Sequence, residues 1–110
     1  MTRRLRVSVA RAVERDLDEI YDHAALAASP ARAEKVFERL REQMHSLALQ
    51  PERGSWPPEL LALGIRDFRQ LVVRPWRIFY RVSGDQGNVL LIADSRRDLK
   101  SLLERRLLTP

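Results

Sequence analysis

The sequence predicts an α+β fold: a short N-terminal strand, a helical hairpin packed on a small antiparallel sheet, and a short C-terminal helix, in the order β-α-α-β-β-β-α. Three observations predict it. Two stretches before residue 50 repeat apolar residues at helical spacing. Asp67–Asp98 reads D-F-R-Q-L-V-V-R-P-W-R-I-F-Y-R-V-S-G-D-Q-G-N-V-L-L-I-A-D-S-R-R-D, three strand-like runs separated by turn residues. Between these halves, Gln50–Gly64 carries Pro51, Gly54, Pro57, Pro58 and Gly64 and reads as an irregular segment.

The elements follow in chain order. Leu5–Val9 alternates apolar and polar residues, as a half-buried strand does. Val13, Leu17, Ile20, Tyr21 and Ala24 form one stripe of a helix over about Ala10–Ala27, with Glu14, Arg15, Asp18, Glu19 and Asp22 on the other side. Ser29-Pro30 opens a second helix, Ser as N-cap and Pro at the first helical position. Its stripe is Ala33, Val36, Phe37, Leu40, Met44 and Leu47, and Pro51 limits it to about Leu49. The two stripes together suffice to cover one face of a sheet. Trp56, in the irregular segment, is expected to fold back onto the core, and Glu59–Leu63 to form one helical turn.

The sheet strands are Asp67–Val73, Trp76–Val82 and Asn88–Asp94. Arg74-Pro75 marks the first turn, because Pro cannot donate to a ladder. Ser83–Gly87 is the second, with two glycines able to take positive φ. In the middle strand Trp76, Ile78, Tyr80 and Val82 share the core face, and Arg77, Phe79 and Arg81 the other. Val89–Ala93 does not alternate, which predicts a strand covered on both faces. Leu99, Leu102, Leu103 and Leu107 then mark an amphipathic helix over about Asp98–Leu107, whose apolar face must find cover at home or on a partner.

The chain's 110 residues suggest one domain, 1–110. With no cysteine, disulfides and thiolate metal sites are excluded, and no metal or cofactor is expected. No apolar run reaches the ~20 residues of a membrane span, and no signal-peptide core follows the basic N-terminus, so no membrane partner is expected and a cytoplasmic location is. Residues 1–63 hold ten Lys/Arg and ten Asp/Glu; residues 64–110 hold ten and five, so the whole net charge of +5 lies there. That asymmetry points to a surface that meets nucleic acid or an acidic protein segment.

The element order, with DLDEIYDH at 16–23, P-x-R-A at 30–33, F-R-Q-L-V-V-R-P-W-R-I-F-Y-R-V at 68–82 and R-R-D-L at 96–99, resembles the RelE/ParE superfamily of toxins from type II toxin–antitoxin (plasmid stabilisation) modules, over nearly the whole chain. The resemblance implies a RelE-like fold and a growth-inhibiting toxin neutralised by a cognate antitoxin whose last element is acidic and amphipathic. Its RelE-like branch cleaves mRNA on the ribosome; its ParE-like branch poisons DNA gyrase.

Cleavage through the 2′-hydroxyl needs a base, an acid and a cation for the developing charge. Arg69, Arg77, Arg81 and Arg96 are the candidates for a catalytic surface, with Arg97 a further phosphate ligand, but arginine is a poor proton shuttle. His23 and His45 lie on the helices, where relatives carry His the chain reads Asp94-Ser95, and no Tyr follows Tyr80. Asp67 or Asp94 would be a base without a neighbouring acid. The reading therefore leans to the ParE-like branch, with no enzymatic site. The expected contacts with target or antitoxin are Arg77, Phe79, Arg81, Arg96, Arg97, Leu99, Leu102, Leu103, Arg105 and Arg106. The alternatives are a ribosome-dependent mRNA endoribonuclease and an inactive remnant acting as an antitoxin-dependent corepressor.

Overall fold

A computed structural model describes residues 4–95 and 98–109. Strand β1 (Arg6–Val9) leads into helices α1 (Arg11–Ala27) and α2 (Pro30–Ser46), followed by the short α3 (Pro58–Leu61). Strands β2 (Arg69–Val73), β3 (Trp76–Ser83) and β4 (Gln86–Asp94) come next, then α4 (Leu99–Leu103), which runs on as a π-helical turn, Glu104–Leu108.

Local chemistry sets the boundaries. The Ser29 hydroxyl accepts the Arg32 N–H at 3.1 Å, capping α2 as its sequence position implies. Helix α2 stops three residues before the expected Leu49, because the N–H groups of Leu47, Ala48 and Leu49 bond three residues back, in a tighter 3₁₀-like turn. β3 and β4 join through Gly84-Asp85, a tighter link than the expected five-residue loop: Ser83 already pairs with Gln86, and Gly84 takes φ +62°. Arg74-Pro75, with a cis peptide bond, turns β2 into β3.

The strand order is β1-β4-β3-β2. β2, β3 and β4 are antiparallel, as expected, but β1 joins β4 in parallel, so the sheet is mixed rather than purely antiparallel. The hairpin α1–α2 makes the crossover that parallel addition requires.

The sheet is covered on both faces. Val13, Leu40, Met44 and Leu47 of the hairpin side pack on Leu71, Val73, Ile78, Tyr80, Val89 and Ile92. On the opposite face Phe79, Leu91 and Ala93 pack under Leu99, Leu102 and Leu103, with Leu60 and Phe68 completing the layer. The unalternating run of β4 therefore has two causes. Both faces are buried, and a β-bulge shifts the register, Tyr80 opposing Val89 and Phe79 opposing Leu91, so Leu90 is the extra residue. The bulge turns Val89 and Leu91, two residues apart, to opposite faces. The tail finds its cover at home: burying each of its three leucines contributes on the order of 1.5–3 kcal/mol.

Candidate functional site

The face of β3 that carries Arg77, Phe79 and Arg81 is the one expected to meet a target, and α4 lies over its centre. Phe79, expected as an exposed interface residue, is instead fully buried. Leu99, Leu102 and Leu103, expected as contacts of a partner, are buried against it in the chain's own second core. The apolar periodicity of the tail did not distinguish an internal from an external cover, because both demand the same stripe.

Arg77 is buried rather than poised for phosphate. Its Nη1 and Nη2 donate to the two Glu59 carboxylate oxygens at 2.7 and 2.8 Å, a bidentate pair. Its Nε donates to Gln70 Oε1 at 2.7 Å, its Nη2 also reaches that oxygen, and the guanidinium lies 4.9 Å from the Phe79 ring centre. The Arg77 hydrogen bond holds the Glu59 carboxyl below its ordinary pKa, overcoming the opposite effect of partial burial. α3 supplies Glu59 and β2 supplies Gln70, so the pair bolts the irregular segment to the sheet. Nothing periodic links positions 59 and 77, and sequence reasoning missed both partners.

Arg69 stands on the other face, opposite Tyr80. Its guanidinium stacks at 4.0 Å over the Trp56 ring, and Nη1 donates to the Gly54 carbonyl at 2.8 Å. Trp56 is thus half-buried under an arginine beside a cleft of about 240 Å³, and not in the core as expected. Trp76 and Tyr80 do lie on the core face. The Tyr80 hydroxyl donates to the Pro51 carbonyl at 2.8 Å and accepts the Gly54 N–H at 3.0 Å, and burial raises its pKa. A Cβ added at Gly54 would stand 2.5 Å from that hydroxyl, so this approach requires glycine.

Arg106 pairs with Asp16 of α1 through Nη1 and Nη2, at 3.0 and 2.9 Å. Arg81 and Arg105 are exposed. Arg96 and Arg97 lie outside the described residues. The candidate phosphate ligands are therefore not assembled: Arg69 and Arg77 are on opposite faces and engaged, and Arg81 alone of the three is solvent-facing. Arg66, Arg74, Arg81, Lys100 and Arg105 are the exposed cations of the described part of the second half. His23 and His45 are exposed on the helices. Among the described residues no group of three or more His, Asp or Glu is placed to hold a metal ion. Nor is any helix long and apolar enough to cross a membrane.

Comparison with known proteins bears directly on this arrangement. The family described as "ParE toxin of type II toxin-antitoxin system, parDE" matches residues 7–99. Toxin ParE3 of Caulobacter vibrioides is 29% identical over 101 residues, covering 92% of this chain and 97% of that protein. The solved structure "Chromosomal ParDE TA system from P. aeruginosa" superposes with a TM-score of 0.69 at 26% identity, over 82% of this chain and 95% of that one. The match runs from β1 to the start of α4 and includes both layers of the fold: the chain belongs to the ParE toxin family of type II toxin–antitoxin systems.

Proposed function

We propose that this toxin acts by binding: it engages DNA gyrase on cleaved DNA, halts replication in the cytoplasm, and is neutralised by a separate antitoxin chain. The observation that carries the reading is the closed outer face of the sheet. Phe79 and Leu91 are roofed by α4, and Arg77 is consumed by Glu59 and Gln70. What remains of the second half's cations among the described residues is Arg66, Arg74, Arg81, Lys100 and Arg105, all exposed. Exposed cations suit an acidic protein segment or a DNA backbone. Arg81 and Arg105, with Arg96 and Arg97, are the contacts this reading assigns to target and antitoxin. Phe79, Leu99, Leu102 and Leu103 enter as the packing that holds α4 in place. The antitoxin is supported by the ParDE system to which the fold is similar.

The test uses the purified chain with gyrase, supercoiled plasmid and ATP. Linear plasmid released by detergent and protease, and suppressed by the cognate antitoxin, is the expected outcome. Plasmid left intact, with mRNA cut on added ribosomes, would replace the reading with the endoribonuclease one.

A further inference from the structure

The open half of β4 carries chemistry that the toxin reading does not use. β1 pairs with β4 only over Gln86–Val89, after which the chain turns into α1. From Leu90 to Asp94, among the described residues, no strand lies on the same side of β4. Two backbone groups of this bare edge are met by side chains. The Ile92 N–H donates to Asp16 Oδ2 at 3.2 Å, and the Leu90 carbonyl accepts Arg106 Nη2 at 3.0 Å. The Asp16–Arg106 pair thus stands where a neighbouring strand would stand. The N–H and C=O of one residue point the same way in an antiparallel ladder. The Ile92 carbonyl therefore faces outward too, and no described hydrogen bond occupies it.

Beside this edge lies a cleft of about 360 Å³, walled by one side of α1 and by Leu102 and Arg106, with Trp76 and Ile92 in its lining. Its titratable lining residues are Asp16, already paired with Arg106, Asp94, which has interactions of its own, His23 and the exposed Glu19. With Asp16 offset by Arg106, Glu19 gives the cleft an acidic wall, opposite in sign to the chain's second half, so the cleft and the exposed cations call for different partners.

We propose that this cleft is a strand-addition site for an extended, basic segment of a partner protein. The segment lies along Leu90–Asp94 in place of the Arg106 side chain, takes the Leu90 and Ile92 carbonyls as acceptors, sets alternate apolar side chains against Trp76 and Ile20, and turns its cations to Glu19 and to the Asp16 carboxylate that Arg106 leaves. Main-chain bonds to a bare edge supply affinity, and the acidic wall supplies the choice of partner. The internal Asp16–Arg106 pair protects the edge until such a segment arrives.

The probe is a capped peptide of about eight residues alternating valine with arginine, a usual strand length. Its counterpart alternates valine with glutamate. Both are titrated into the isotope-labelled full chain while backbone amide signals are followed. The arginine peptide is expected to shift the amide signals of Leu90–Ala93, to protect the Ile92 N–H that faces the open edge, and to bind at least about tenfold tighter than the glutamate peptide. The exposed substitution Glu19→Lys, which leaves the edge intact, should weaken it about fivefold. Equal affinity of both peptides overturns the proposal, as does an unchanged Leu90–Ala93 region at about 5 mM arginine peptide. None of these readouts depends on gyrase.

Discussion

Replacing Arg77 with methionine tests whether that residue is structural. Methionine keeps the aliphatic bulk over Phe79 but removes every donor. Gln70, 8% exposed, is left with an unpaired side-chain oxygen, at a cost of about 1–3 kcal/mol. The Glu59 side chain is 29% exposed, so water rehydrates its carboxylate and the ~3–5 kcal/mol of a fully buried broken ion pair does not apply; about 1 kcal/mol is appropriate. Loss of the contact to the Phe79 ring adds roughly 0.5–1 kcal/mol. The total is about 2.5–5 kcal/mol, a fall in Tm of roughly 10–25 °C for a domain of this size. Urea unfolding followed by tryptophan fluorescence reads it. Glu59→Gln alone should cost about 1 kcal/mol, and the double variant less than the two summed, because the partners are already separated. Arg81→Ala, at an exposed position, should stay within about 0.5 kcal/mol of the parent. An Arg77→Met protein as stable as the parent would refute the reasoning, since it would mean that the bidentate pair contributes nothing in solution.

Three further outcomes follow from the same geometry. Glu59 has a folded pKa below its unfolded value of ~4.3, so its contribution is complete above that value and lost as pH falls through the lower folded one; acid unfolding of Glu59→Gln should lack this component when compared by circular dichroism. Tyr80→Phe removes both hydroxyl bonds and strands the buried Gly54 N–H, for about 1–3 kcal/mol in the same urea assay. Leu103→Ala opens the layer beneath α4 and should cost about 2–5 kcal/mol, with new binding of an apolar dye showing that the Phe79–Leu91 face has been uncovered.

The elements were legible wherever one local rule governed them. Helical spacing placed α1 and α2, Ser29-Pro30 fixed the start of α2, and Pro75 and Gly84 placed the turns. The unalternating Val89–Ala93 gave away a strand buried on both faces. What the sequence did not disclose depends on long-range pairing. The parallel alignment of β1 with β4 is decided by the crossover, not by either strand's pattern. Arg77 and Arg106 look like surface cations in a list of residues. Only the fold brings Glu59 and Asp16, 18 and 90 positions away, to meet them. Phe79 sits between two arginines, and alternation alone puts it on a polar face; the tail that buries it begins twenty residues later.

The proposed binding to gyrase would stop replication before translation. Inducing the chain without a partner in a bacterial host, and following thymidine and methionine incorporation side by side through the first minutes, separates binding from RNA cleavage. Thymidine uptake falling first is the predicted result. Methionine uptake falling first would contradict it, and would mean that the exposed arginines serve a translational target.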